Sequence, residues 1–417
     1  MRILVSHPTG NANVKAILYG FQKNNMLSAY LTTLAFNKLP NFFNIIPKKI
    51  RNELSRRTFD ELPLGKVFIY PLREIMRLLF TKIGMNKFTD GEAAWVGIDQ
   101  VYWSFDQYVA GFLNKNTNRA IDFVYAYEDG ALETFKEAKK QNIICIYDLP
   151  IAYWAVGRDL MIQEASRLPV WAKTMGGGVT NSTYKLDRKT QELELADTVV
   201  VASEFVKRSL PQNLITQKKI ILSPFGTPLY DLPDLTIKYK NPSKKLRVLF
   251  VGSMSQRKGL ADLFAAINFL NNSNIELVVM GSLIESLEFY KKRCVNFTYE
   301  SGRPHHDVLL LMRSCDIFCL PSIVEGRALV MQEAMSQGLP LIITANTGGE
   351  DLIIEGETGF LVPIQSPEAI AERINWFYEN QNQIARMSIA AQRHVSNYTW
   401  ELYTERIVDA LKIQHGK

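Results

Sequence analysis

Residues 246–322 alternate short, continuous apolar runs with amphipathic stretches. The runs are LRVLFVG (246–252), IELVVMG (275–281), VNFTYES (295–301) and DIFCLPS (316–322). Helix-like KGLADLFAAINFL and HHDVLLLMRSC fall between them. Runs that are apolar throughout, and not at every second position, belong to strands covered on both faces, and the helical stretches supply the cover. A parallel, doubly wound sheet is the architecture that meets this constraint. The front half shows the same grammar with larger insertions, in RILVS (2–6), IDFVYAY (121–127), NIICIYD (142–148) and TVVVAS (198–203). Between the halves, SPFGTPLYDLPDLTIKYKNPSKK (223–245) carries four prolines and a glycine, the punctuation of a linker. The chain is therefore expected to be α/β, with a first domain over 1–225, a linker over 226–244 and a second domain over 245–397. In such sheets ligands bind beyond the carboxyl ends of the strands, here in the cleft between two domains.

Composition narrows the class. Apolar residues make up 47% and charged residues 22%, which suits a soluble globular chain and excludes a disordered one. No run approaches the ~18 apolar residues that read as a spanning helix. The apolar run Ile3–Val5 is too short for the core of a leader and reads as a first strand. Cys145, Cys294, Cys315 and Cys319 lack zinc-type spacing and sit in or beside apolar runs, so a reducing cytoplasm is expected. The +6 net charge is uneven: residues 1–244 hold 32 Lys and Arg against 23 Asp and Glu, residues 245–417 hold 16 against 19. A basic front half suggests a partner different from that of the rear half, or drift in surface composition.

Two stretches of the rear half carry chemistry. In VGSMSQRKGL (251–260) a strand ends in a Gly/Ser loop, and Arg257, Lys258 and Gly259 open a helix. Unpaired N–H groups, the positive end of a helix dipole and two cations make a seat for a diphosphate; a solvated basic turn is the plain alternative. The GxxxxGK[ST] order of a Walker loop is missing. In DIFCLPSIVEGRALVMQEAMSQGLPLI (316–342), Glu325 precedes a helix and Glu333 lies about two turns inside it. Carboxylates accept well from vicinal hydroxyls, the chemistry of ribose or hexose recognition, although a lone helical Glu is more often simply solvated.

The order S-x-x-E-G, E-A-M, G-x-P, T-G-G-E-D (347–351) and G-x-x-G-F-L-V-P (356–363) resembles glycosyltransferase family 4, retaining nucleotide-sugar-dependent enzymes of the GT-B fold with two Rossmann-like domains. The hallmark Glu, seven residues, Glu spans Glu325 to Glu333. The resemblance covers 245–400 and is weaker in front. It implies that Glu333 holds the donor ribose and Glu325 the sugar hydroxyls. Gly326, Arg327 and Ala328 would bring backbone N–H groups to the diphosphate, and Lys258, helped by Arg257, would neutralise it without a metal. Gly302 and Arg303 match the region that meets the base. Ser253 stands where members often carry an arginine, so Arg257 has to substitute. Gly10 with Asn11 and Asn13 replaces a glycine pair after the first strand. Tyr147 or Asp148, in IYDLP (146–150), fills the slot of a usual histidine. No cofactor is implied beyond the nucleotide-diphosphate sugar as co-substrate, and the helix-like residues 398–417 are expected to return to the front domain.

The front loops after strands present His7 and Asn11, Glu128, Asp129 and Gly130, and Asp148. They suit either acceptor contacts or helix caps, and Asp129 reads as a cap before a catalyst. His305 and His306 open a predicted helix as surface residues. LPNFFNIIPKKIRNELSRRTFDEL (39–62) spaces Ile46, Ile50 and Leu54 by fours among Lys48, Lys49, Arg51, Arg56 and Arg57. It reads as a helix packing on its own domain or as a stretch lying on an anionic membrane, which would put the protein at the inner face as a peripheral enzyme. The expected activity is hexosyl transfer to a lipid-linked, glycan or small-molecule acceptor by front-face attack, in polysaccharide or glycolipid assembly. A GT-B nucleotide-sugar epimerase or a non-catalytic nucleotide-sugar-binding protein are the alternatives. No nucleic-acid motif accompanies the charge.

Overall fold

The structure, a computed structural model, describes residues 1–36, 57–176, 179–228, 232–235 and 245–415. The front half forms a sheet of β1 (Ile3–Ser6), β2 (Leu27–Thr32), β3 (Val67–Ile69), β4 (Phe123–Tyr127), β5 (Ile144–Leu149), β6 (Thr198–Val201) and β7 (Lys219–Leu222). All neighbours are parallel, in the order β3-β2-β1-β4-β5-β6-β7. The rear half forms a second parallel sheet of β8 (Leu246–Val251), β9 (Ile275–Met280), β10 (Phe297–Glu300), β11 (Ile317–Leu320), β12 (Leu341–Ile343) and β13 (Gly359–Leu361), ordered β10-β9-β8-β11-β12-β13.

The runs picked out by composition are the central strands. Ile3–Val5, Phe123–Ala126 and Ile317–Leu320 are wholly buried because helices cover both faces. The short strands β3, β7, β12 and β13 carry too few apolar residues to stand out from their flanks. Each sheet changes winding direction once, between β1 and β4 in front and between β8 and β11 behind. Loops leaving the two strands on either side of a switch point diverge and open a crevice.

Two segments cross between the halves. The last helix, Trp400–His415, places Tyr403, Ile407, Val408 and Leu411 in one core with Ile3, Val5, Ile17 and Phe21. It lies so close to helix Ala12–Lys23 that a methyl at Gly20 would collide with Thr404. In the other direction, helix Trp154–Arg167 and the 3-10 turn Pro169–Thr174 leave the front sheet after β5. Trp171 is buried in the rear core, with its ring 5.3–5.9 Å from those of Phe289, Phe264 and Tyr290. No described helix is long and apolar enough to cross a membrane.

Of the basic stretch 39–62, Lys48, Lys49, Arg51 and Arg56 lie outside the described residues. Arg57 does not face outward as expected. It donates to Glu74 Oε1 at 2.6 Å and Thr33 Oγ1 at 3.3 Å, because Glu74 is buried and needs cations, Arg77 being the other. Phe59 and Leu62 are buried in the front core, so the end of the stretch packs on its own domain.

Candidate functional site

The rear switch point brings Lys258 and Glu325 together. Lys258 follows β8 in the turn Gln256–Lys258, and Glu325 follows β11. Lys258 Nζ donates to Glu325 Oε1 at 2.6 Å, and Arg257 Nη1 donates to the same oxygen at 2.8 Å. Two cations on one carboxylate leave a local surplus of positive charge, which favours an anion. The approach is tight because small residues line it. At Gly252 a methyl would meet the stem of Lys258, and at Gly259, whose φ is +73°, it would collide with the carbonyl of Pro321. Ser253 sits in the same loop, its hydroxyl 3.5 Å from that of Ser255.

Beyond Glu325 the chain closes on the front half. Ser203 Oγ donates to the Gly326 carbonyl at 2.6 Å, and a methyl at Gly326 would collide with the carbonyl of Pro150. Arg327 does not offer its side chain to the cleft. It is buried, donating to Gln332 Oε1, the Gly348 carbonyl and Asp351 Oδ1 at 2.7–3.0 Å. Ala328 precedes helix Leu329–Ser336 and takes the Met331 N–H on its carbonyl at 3.0 Å, while its own N–H, expected at the diphosphate, donates to the Thr347 carbonyl at 3.4 Å. Glu333 lies on that helix, mostly covered, 3.1 Å from His305 Nε2. His305 and His306 are both exposed, as expected, and His305 also reaches Glu333. Gly302 is open on the loop after β10, and Arg303 pairs with Glu300.

The front switch point assembles the loops after β1 and β4. His7 Nδ1 accepts from the N–H groups of Thr9 and Gly10 at 3.1 and 3.2 Å, so its proton resides on Nε2, which is buried without a partner among the described residues. Burial, with Arg57 adding, holds the imidazole down to about 3, and its ring centroid lies 4.3 Å from that of Tyr127. Gly10 takes φ +116°, and a methyl there would press on the Phe59 ring. Asn11 accepts from Thr9 Oγ1 at 3.2 Å and does not cap its helix through its side chain.

Three front residues differ from expectation. Asp129, at φ +68°, is not the cap of helix Leu132–Lys140. That helix start is capped from outside: Glu192 accepts from the N–H groups of Asp129, Ala131 and Leu132, and Asp106 from those of Glu133 and Thr134. Asp129 and Glu128 instead share Lys189, at 3.2 and 3.0 Å. Tyr147 and Asp148 are neighbours within β5, so they point to opposite faces. Tyr147 is buried, with its hydroxyl 3.3 Å from Glu192. Asp148 is buried beside Asn13, its carboxyl pushed up to about 7 by desolvation. The strand runs to Leu149, one residue past Asp148, and Pro150 and Ile151 are what approach Gly326 of the rear domain.

Two parallel sheets with facing switch points define the GT-B fold. Sucrose-phosphate synthase from Thermosynechococcus elongatus superposes with a TM-score of 0.68 at 17% identity, over 100% of this chain and 99% of that one. Anabaena HepE, in complex with UDP and glucose, superposes with a TM-score of 0.61 at 16% identity, over 99% of each. Residues 233–394 match the family of glycosyl transferases group 1. An uncharacterized glycosyltransferase of Methanocaldococcus jannaschii is 26% identical over 208 residues, 49% of this chain and 56% of that protein. The D-inositol 3-phosphate glycosyltransferase of Corynebacterium urealyticum is 29% identical over 107 residues, 26% of this chain and 25% of that protein. The chain thus spans about half, or less, of these curated relatives. A third, uncharacterized glycosyltransferase YqgM of Bacillus subtilis, is 24% identical over 71% of this chain and 78% of its own length.

Proposed function

We propose that this protein is a retaining glycosyltransferase of family 4 type. It moves a hexose-type sugar from a nucleotide-diphosphate sugar to a lipid-linked, glycan or small-molecule acceptor. The observation that carries this is the meeting of Lys258, Arg257 and Glu325 across the rear switch point, with Glu333 on the helix that follows Glu325. A departing diphosphate gathers negative charge, and fixed cations stabilise it most at that moment, without a metal. Glu333 takes the ribose hydroxyls, Glu325 those of the sugar, and Gly302 and Arg303 flank the base. The acceptor enters from the loops after β1 and β4. Its hydroxyl attacks from the face the nucleotide leaves, and the leaving oxygen takes the proton.

A thermal-shift panel of nucleoside diphosphates and nucleotide sugars tests this, because a ligand of the native state raises its apparent stability. UDP and UDP-glucose head the panel, since HepE was solved with both. A shift followed by nucleotide release from the same sugar is expected, insensitive to chelator. No shift with any nucleotide refutes the reading.

A peripheral seat on an anionic membrane, expected through residues 39–62, belongs to the same proposal, and residues outside that stretch add to it. Leu79, Ile83, Met85, Phe88 and Trp95 are exposed, with exposed Lys82 and Lys87 interleaved. Apolar side chains among lysines suit a lipid headgroup region. Vesicles with and without phosphatidylserine distinguish this: binding only to the anionic ones is expected, and none to either refutes it.

A further inference from the structure

Helix Trp154–Arg167 and the turn Pro169–Thr174 belong to the front half by sequence, yet they hold the far side of the loop that carries Arg257 and Lys258. Thr174 Oγ1 accepts from the Gln256 N–H at 3.0 Å. Glu164, fully buried, accepts four hydrogen bonds: two from Arg167, one from Gln256 Nε2 at 2.5 Å and one from Gln365 Nε2 at 2.7 Å. Arg167 also donates to both oxygens of Asp262 at 2.8 Å. The Gln256 amide is the keystone of this cluster. Its Nε2 serves Glu164 and Asp262 (2.9 Å), and its Oε1 takes the N–H of Ala261 at 2.7 Å. Only an amide can donate to two carboxylates and accept a backbone N–H at once. From behind, the Tyr290 hydroxyl donates to the Met254 carbonyl at 2.6 Å, and Tyr290 packs on Trp171.

The loop needs such restraint. It is bounded by Gly252 and Gly259, the residue type that loses most freedom on ordering, and it carries the two cations of the site. A buried carboxylate is tolerated only when it is well satisfied, so Glu164 holds its partners in one arrangement.

We propose that Thr174, Glu164 and Gln256 are positioning residues that fix the 252–259 loop so that Arg257 and Lys258 meet the donor diphosphate, a role that rests on the diphosphate assignment above. In this way a segment of the acceptor-side half sets the geometry of the donor side. Thr174→Val keeps shape and loses the acceptor, Thr174→Ser keeps the acceptor, and Gln256→Met keeps length and loses the amide.

The first measurement is backbone hydrogen exchange of 252–259 without ligand. Thr174→Val should exchange roughly tenfold faster there, as expected for one lost hydrogen bond of about 1.4 kcal/mol, and Gln256→Met, which loses three, at least as much faster. Thr174→Ser should exchange like the parent. The second measurement is turnover of the nucleotide sugar that the parent binds. Both disrupting variants should lose kcat about tenfold, with donor KM less affected, because misplaced cations fail most in the transition state. Exchange unchanged in both variants, or exchange raised with kcat intact, overturns the proposal. If the parent binds no nucleotide, the glycosyltransferase reading falls by itself, and exchange in the ligand-free protein still decides whether the clamp restrains the loop.

Discussion

Lys258 offers the sharpest perturbation of the proposed donor site. Its Nζ is 2.6 Å from Glu325 Oε1, and its side chain is 13% exposed. Its stem covers Gly252, so Lys258→Met keeps that packing and removes only the charge. Arg257 still pairs with Glu325 in the variant, and no carboxylate is stranded. Two unit charges 4 Å apart at an effective dielectric of about 20 interact by about 4 kcal/mol. Partial exposure and the nearby Glu325 reduce this, and hydrogen bonds to charged groups measure about 1.5–3 kcal/mol. The variant should therefore lose about 10- to 150-fold in affinity for a nucleoside diphosphate. Affinity for the nucleoside, which carries no diphosphate, should barely change. Titration calorimetry with both ligands gives the ratio of affinities without any knowledge of the acceptor. The kcat for nucleotide release should fall over a similar range, because the charge on the diphosphate grows as the sugar departs. A Lys258→Met protein that keeps both the affinity ratio and kcat would refute the assignment of Lys258 to the diphosphate.

Glu333→Ala should raise donor KM by about 10- to 150-fold with kcat nearly kept, since ribose is bound alike in ground and transition states; a collapse of kcat would reverse the two assignments. Gly326→Ala should lower stability by about 1–3 kcal/mol, because its methyl meets the Pro150 carbonyl; an unchanged denaturation midpoint would contradict the close approach. Trp171→Ala should cost about 3–5 kcal/mol, and hydrogen exchange should rise around Phe264 and Phe289 before it rises in the front sheet. Asp148, raised to about 7 by burial with Glu128 adding, holds its proton in the folded chain where the unfolded chain, near ~3.9, has lost it. That contribution is full below about pH 4 and is lost as pH rises through 7, whereas His7, held near 3, acts in the opposite sense. Asp148→Asn should therefore flatten the decline of the melting temperature between pH 4 and 7, and parallel curves for parent and variant would exclude this.

Much of the framework is legible in the sequence because both sheets are covered on both faces. LRVLFV and DIFCL announce central strands by hydrophobic continuity alone, whereas the sequence puts Lys258 and Glu325 in one site only through the family resemblance, and their adjacency across a switch point is read from the strand order. The front loops were harder for a local reason. Whether a residue such as Asp148 lies inside a strand or in the loop beyond it decides whether it can face the cleft, and the apolar run ending at Asp148 falls one residue short of the strand's end at Leu149. Asp129 looked like a cap because caps are usually local, and nothing in the chain near it signals Glu192 and Asp106 arriving from other helices. The pairing of His305 with Glu333 is also invisible in sequence, since it depends on how the loop after β10 meets helix Leu329–Ser336. The clamp escaped for a similar reason: residues 154–174 have an apolar side, but no local pattern says which domain that side is buried in.

The crossing segments bear on how such a protein can be recombined. The linker is the natural place to cut when donor specificity is exchanged between relatives. A cut there, however, hands over a rear domain without Trp171, Thr174 and Glu164, and a front domain without Tyr403, Ile407 and Leu411. Each half would carry an empty socket shaped for a piece left in the other parent. A working chimera has to transplant 154–174 together with 245–397, and keep 400–415 with the front half it came from. On the proposed reading, inheritance of donor choice follows two seams that the linker does not mark.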